Sequence, residues 1–329
     1  IKLLTEDTVD YLNEHGGFGD RPLELVTCVA NGSPEGSQAC AQEIVGQDVE
    51  LVLLGLDLFP DYTTYGAEGL PVIGMLPILP GDYTAEARFI TGGNATTMGS
   101  IAAVAKEYFE AESVGIVSAD NPGSSASAAS LTASLDVAGI EYKVVTGGND
   151  ETDAGYQGLM REAASDDPEV LISLYDGAGC VGTIRGRAAL GIETPVLTTN
   201  ICAGSEVIEV VGDDAEGWIF AGIETDQQTP ERDILTGIAA DYAGVPAEEV
   251  DPNALGLGTL GIVLTMTLAD YANQIAAEGG DVTGQSIYDF MGTAEGLVTW
   301  PQGTAVDCGA AEAYPSICAF TFPCSAYAV

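Results

Sequence analysis

Along the chain, short runs of β-branched and aliphatic residues alternate with longer segments in which Ala, Leu and Val recur at helical spacing. The run LELVTCV over 23–29 predicts a strand, and 37–45 a helix. VELVLLG over 49–55 is a second strand, and LPVIGM over 70–75 a third, opened by the turn signal of Gly69 and Pro71. RFITGG then leads into a helix over about 97–111, and SVGIVSAD over 113–120 predicts a buried strand. The same grammar restarts after Asp120. A small-residue helix stops at Gly139, and the strand EYKVVTGG follows; then come a helix over 153–164 and the strand VLISLYDG over 170–177. A helix over 181–190 ends at Gly191, before the strands TPVLTTN (194–200) and GWIFAGIE (217–224). Helices over 230–242, 255–277 and 283–291 precede a tail of short strands. This alternation predicts an α/β fold with two doubly wound parallel-sheet lobes joined by a multi-strand hinge. The chain is expected to leave the first lobe near Asp120 and return near Thr225. That gives a discontinuous first lobe of 1–119 plus 227–305, a second of 120–226, and a cysteine-rich tail, 306–329, crossing the hinge.

Composition supports a large core: hydrophobic residues are 46% of 329, and charged residues 18%. The length favours two domains of about 150 residues. Charge removes whole partner classes. Fifty Asp and Glu against nine Lys and Arg leave a formal charge of -41, so no basic patch exists for nucleic acid or for an anionic bilayer. Self-repulsion of this size would be largely screened at molar salt, where the Debye length is about 3 Å. The composition therefore fits either a salty habitat or a secreted protein kept soluble by charge. The longest apolar stretch, 255–269, falls short of the ~20 residues that span a bilayer, and Gly and Thr dilute it, so it reads as a buried helix. No signal peptide is visible. The chain opens at Ile1 in a helical pattern, and processed or missing N-terminal residues are expected.

Seven cysteines are the second strong signal. There is no CxxC, and the one histidine, His15, sits in the turn-like NEHGG, which argues against a zinc site. The cysteines read either as disulfides, which persist in oxidising compartments, or as free buried thiols; an odd count leaves one over. Catalysis finds no support. A single histidine builds no nucleophile triad, and no GxSxG or phosphate loop occurs. GLGTLG over 256–261 lies inside the apolar helix with no preceding strand, and reads as close helix packing. Neither an enzyme nor a cofactor or metal is expected.

Several blocks together are familiar. The stretch 11–45 (YLNEHGGFGDRPLELVTCVANGSPEGSQACAQEIV), 69–93 (GLPVIGMLPILPGDYTAEARFITGG), 120–123 and 180–203 (CVGTIRGRAALGIETPVLTTNICA) resemble, in order, extracellular solute-binding proteins of the branched-chain amino-acid family, with the type I periplasmic-binding fold. The resemblance implies a non-enzymatic receptor outside the cytoplasm. It captures a small neutral, zwitterionic or cationic solute, an aliphatic amino acid or a relative, between two lobes and delivers it to an ABC permease. Urea or a short amide is the alternative solute. A sensing receptor ectodomain or an extracellular assembly module is the alternative role. The family's first strand and first ligand loop are expected upstream of Ile1, and a lipid anchor there is the one membrane attachment left open.

The family pattern also places ligand loops. Asp57, Leu58 and Phe59 follow the second readable strand, and Pro77, Ile78 and Leu79 stand in the next loop. Asn121, with Pro122 and Gly123, matches the family's D-x-x-Y-G turn without its tyrosine. Tyr175 and Asp176 match an aromatic platform, and Asn200 matches a position that in leucine binders is a carboxylate holding the α-ammonium. The Ser and Thr hydroxyls that grip an amino acid are missing, so the amino-acid clamp is depleted. Asp57 or Asp176 either replaces the lost counter-charge or is a solvated loop carboxylate. Leu58, Phe59, Ile78 and Leu79 are either an apolar wall or strand-end core. No basic residue lies in these loops, so an anionic solute is not expected unless helix N-termini hold it. The family's paired cysteines correspond to Cys28 with Cys40, and to Cys180 and Cys202 flanking a helix and strand. Cys308 and Cys318 are the further disulfide candidates, with Cys324 beside them in the tail.

Overall fold

Two sets of parallel strands carry the fold, each in its own compact unit. The computed structural model describes residues 1–222, 229–250, 252–294, 297–301, 304–307, 319–320 and 325–328. One unit comprises Ile1–Gly93, Gln227–Pro252 and Gly258–Phe322, and the other Asn94–Asp226, Asn253–Leu257 and Pro323–Val329.

In the first unit, α1 (Lys2–Glu14) buries Leu4, Thr8, Val9 and Leu12, one stripe at helical spacing. Gly16 and Gly17, at φ 109° and 68°, turn the chain out of it. The expected strand over 23–29 is not one: it joins no ladder. It is held from the side instead. Asn13 Nδ2 donates to the Leu23 carbonyl at 3.0 Å and Asn13 Oδ1 accepts from Leu23 N at 2.7 Å, while a disulfide ties Cys28 to Cys40. Leu23, Leu25, Val26 and Cys28 are half-buried by such packing, while Val29 is exposed; a strand pattern does not distinguish this from pairing. Helix α2 (Pro34–Val45) is capped by Ser33, whose side chain accepts from Gly36 N, with Pro at its first position. Strand β1 (Val52–Leu54), helix α3 (Tyr62–Ala67) and strands β2 (Val72–Gly74) and β3 (Arg88–Phe89) follow. The three strands form a parallel sheet in sequential order, Val52 opposite Val72 and Ile73 opposite Arg88. Ala41, Val52, Leu54, Tyr65 and Val72 make its core.

The second unit starts earlier than expected. Helix α4 (Gly93–Ala103) begins four residues before the predicted 97 and runs on as a π-helical turn, Val104–Tyr108. Strand β4 (Ser113–Ala119) was expected in the first lobe. It pairs with both β5 (Glu141–Gly147) and β6 (Val170–Leu174), so it is interior to the second sheet and cannot belong elsewhere. Between β4 and β6 lie α5 (Pro122–Ala138) and α6 (Asp153–Ala163); α7 (Gly177–Leu190), β7 (Val196–Thr199), α8 (Ser205–Val211) and β8 (Trp218–Gly222) continue the alternation. Helices α5 and α7 stop at Gly139 and Gly191, both left-handed. Side chains on the sheet sort by parity. Val114, Ile116, Val170, Ile172 and Leu197 pack with α4 and α5, whereas Val117, Leu171, Val196, Trp218 and Phe220 pack with α6, α7 and α8. Both faces are covered, as a parallel sheet requires.

Helices α9 (Pro230–Ala243), α10 (Thr259–Ala277) and α11 (Gly284–Thr293) return to the first unit. Helix α10 starts at Thr259, with a 3₁₀ segment occupying Pro252–Gly258. It is buried nearly all round, and a Cβ on Gly261 would collide with Thr5 of α1, so this glycine serves close helix packing as its sequence context predicts. No helix among the described residues is long and apolar enough to cross a membrane. Strands β9 (Leu297–Thr299), β10 (Thr304–Asp307) and β11 (Ala319–Phe320) form a small antiparallel sheet; the last strand, β12 (Ser325–Ala328), pairs antiparallel with β8 in the second unit. Cys308, Cys318 and Cys324 lie outside the described residues.

Candidate functional site

The strand order of the second unit, β12-β8-β7-β6-β4-β5, reverses direction at β4. The chain goes from β4 to β5 on one side and from there across to β6 on the other. In open α/β sheets a ligand crevice forms outside the carboxyl ends of the strands that flank such a switch. Here those ends are Asp120 and Asn121 after β4, and Tyr175 and Asp176 after β6, with Asn200 after the next strand, β7. Four of the nine residues nominated from sequence therefore converge on one sheet edge.

Their side chains have different jobs. Asn121 is the N-cap of α5: its Oδ1 accepts from Ser124 N at 2.8 Å, and its Nδ2 donates to Asn149 Oδ1 at 2.8 Å. It braces the β4 and β5 loops against each other. Tyr175 is not an exposed platform, because it is 3% exposed and belongs to the core cluster. Its ring meets Tyr156 edge-on at 5.7 Å and lies over Gly179, where any Cβ would strike it. Burial pushes its phenol up to about 12, with Tyr156 and Glu151 adding to the shift, and the hydroxyl has no hydrogen-bond partner. Asp176 is exposed and begins α7; its carbonyl accepts from Gly179 N and Cys180 N, while its carboxylate makes no cap. Asn200 is half-buried and opens the 3₁₀ turn Asn200–Ala203.

A disulfide, Cys180–Cys202, sits directly beneath this edge. Both sulfurs lie 3.5 Å from the Tyr175 carbonyl, and both cysteines are fully buried. It ties the start of α7 to the turn after β7, joining the β6 and β7 loops covalently. At the opposite end of the sheet Arg187, 6% exposed, donates to the carbonyls of Thr194, Glu216 and Glu193 at 3.0, 2.6 and 3.1 Å. Sequence reading passed over this arginine. Its burial lowers its pKa from the ordinary guanidinium value, yet such a group stays charged.

The carboxyl edge of the first unit's sheet carries the other five nominated residues. Asp57 Oδ1 accepts from Ser37 Oγ at 2.6 Å and Phe59 N at 2.9 Å, so this carboxylate folds its own loop and ties it to α2. Leu58 and Phe59 are half-buried beside it. Ile78 is buried and Leu79 half-buried, and both donate their backbone N–H to one oxygen of Asp82, at 2.7 and 2.8 Å. The other oxygen of Asp82 accepts from Tyr62 Oη at 2.7 Å. Asp82 is only 6% exposed and was absent from the sequence nominations. The available signal was an acid following Pro80-Gly81, a turn that aims its carboxylate back at the loop. Tyr62 and Tyr65 are both raised, first by burial; Asp82 hydrogen-bonds the former, and Asp57 and Asp61 push the latter up to about 12. Thr91, buried at the end of β3, donates to the Met75 carbonyl at 2.8 Å and closes this edge.

Two α/β units, each with a parallel sheet whose nominated residues lie at the strand carboxyl ends, define the class by fold. Within it, the sequence pattern of the family described as periplasmic binding protein matches residues 5–305, and the chain belongs to that family. Solved structures agree on the fold. An extracellular ligand-binding receptor from Verminephrobacter eiseniae superposes with a TM-score of 0.75 at 13% identity, covering 92% of this chain and 86% of that one. A leucine binding protein from Thermotoga maritima gives 0.73 at 14%, covering 92% and 85%. A solute binding protein of an ABC transporter from R. palustris, in complex with 4-hydroxybenzoate, gives 0.72 at 14%, covering 93% and 83%. No match was found among curated proteins.

Proposed function

We propose that this protein is an extracytoplasmic solute-binding protein that captures a small neutral, zwitterionic or cationic solute and delivers it to an ABC permease. The observation that carries the reading is the family match across 5–305, whose members and structural neighbours are binding proteins of this kind. The second unit adds independent support, since its switch point brings Asn121 and Asp176 to one sheet edge above the buried Tyr175. In the unit-1 loops Leu58, Phe59 and Leu79, all half-buried, are the apolar surface we assign to an aliphatic body, with Ile78 buried behind them. No lysine or arginine is among the nominated residues, which disfavours anions. Two disulfides fit an oxidising location outside the cytoplasm.

The test is native mass spectrometry of purified protein for a co-purifying small molecule, followed by thermal-shift screening of aliphatic amino acids, short amides and urea. A solute present at 100 times its Kd raises stability by about 2.7 kcal/mol. An unchanged Tm across the whole panel removes the transport reading.

A further inference from the structure

We propose that Asp82 fills, from inside the chain, the anion-binding position of the loop between β2 and β3, so that the solute brings no carboxylate to the first unit. The inference rests on the solute-binding reading and narrows its ligand class. Two successive backbone N–H groups converging on one oxygen make the concave donor pair that proteins use for anions. In this loop the pair belongs to Ile78 and Leu79, and the anion is already present: Asp82 Oδ2 sits 2.7 and 2.8 Å from the two nitrogens. The occupant is built in rather than incidental. Asp82 is 6% exposed, and its second oxygen is held by Tyr62 Oη at 2.7 Å, so it has three donors and no route to swing out without breaking all of them. In the preceding loop Asp57 also takes a donor from its own loop, the backbone N–H of Phe59 at 2.9 Å, together with the Ser37 hydroxyl.

The consequence for recognition is electrostatic. A solute carboxylate approaching these loops would meet donors already engaged and two carboxylates of its own sign, and its own oxygens would be left unpaired. An amide, amine or hydroxyl brings no negative charge and needs none of those engaged donors. The selected class is therefore a small aliphatic amide, amine or alcohol. In contrast, the T. maritima and R. palustris neighbours are named for leucine and 4-hydroxybenzoate, both of which carry a carboxylate. Asp82 is accordingly a specificity-determining residue that acts through the backbone of the loop.

Two arms test this. In the first, Asp82→Ala is purified and its Tm measured with added sodium formate or acetate, against sodium chloride at equal ionic strength. Formate or acetate is expected to restore Tm in the variant and to leave the wild type unmoved; no carboxylate-specific rescue overturns the proposal whatever the solute is. In the second, four compounds sharing an isobutyl body are titrated: isovaleramide, isoamylamine, leucine and isovalerate. The wild type is expected to bind the amide or amine about tenfold or more tighter than isovalerate, and that ratio should collapse about tenfold in Asp82→Ala. Asp82→Asn, which keeps the loop's shape and drops the charge, should narrow the ratio with its fold intact. Isovalerate binding wild type as tightly as the amide preserves a solute-binding protein and overturns the assignment. Formate rescue without binding of any of the four keeps the occupied donor pair, but removes the solute reading and the selectivity that depends on it.

Discussion

At the scale of single residues, Tyr175 shows how one side chain separates recognition from architecture. Its ring is core, and its hydroxyl is buried without a partner. Tyr175→Phe removes an unsatisfied polar group and should leave stability unchanged or raise it by about 1 kcal/mol in urea melts. Tyr175→Ala should cost about 3–5 kcal/mol, because the space between Tyr156 and Gly179 would stay hollow. A binding loss in the alanine variant with an unchanged melt would reinstate Tyr175 as a surface platform. From sequence, the position of these residues was legible because each nominated residue follows a strand. Their roles were not. Asn121 as a cap and Asp57 as a loop brace depend on which N–H lies nearby, which is a property of backbone geometry. Asp82 escaped notice because its partners, Tyr62 and the Ile78 and Leu79 amides, meet it only once the loop has closed.

At the scale of elements, periodicity located nearly every helix and strand, and failed where an apolar run had nothing to pair with. The stretch 23–29 has a strand's composition, but ladder formation is a property of two segments. Two short helices, α3 and α8, went unread because six or seven residues carry too little periodicity. The Cys180–Cys202 bridge closes a loop of sequence separation 22, for which the chain-entropy account gives about 3 kcal/mol. The double Cys180→Ala, Cys202→Ala variant should lose roughly that in denaturant melts, and a solute bound at the β6 and β7 loops should bind less tightly. Equal stability and affinity would make the bridge dispensable. On α1, burial and then the neighbouring charges of Asp10, Glu6 and Asp241 raise the pKa of Asp7. A carboxyl raised in the fold stabilises while protonated and loses that contribution as pH rises through its folded pKa. Asp7→Asn should therefore raise stability at pH 7 in low salt, by only the few tenths of a kcal/mol that solvent-screened charges contribute. The gain should fade below pH 4 and in molar NaCl; a gain constant across pH would contradict the charge argument.

Over the whole molecule, the acidic excess sets the conditions under which the fold is held. With a net charge of -41, the expected outcome of urea melts is a midpoint that rises from low to molar NaCl. A midpoint that is flat with salt would favour the reading of a secreted protein kept soluble by charge. The alternation of strand and helix made two α/β lobes legible across the chain, but the crossing point between them was misplaced by some 26 residues, since the compact unit begins at Asn94 and the sequence pointed to Asp120. Nothing in composition changes at residue 94; the packing of Met98, Ile101 and Ala102 of α4 against Val114 and Ile116 assigns it.

Arg187 gives this acidic protein a fastening of a different kind. Its three acceptors are main-chain carbonyls, so no carboxylate has to stay ionised for the clamp to hold, and added salt has no exposed ion pair there to screen. The entries to β7 and β8 should thus remain stitched together under acid and brine alike. Hydrogen exchange would find those amides among the last to open when the rest of the surface responds to its solvent.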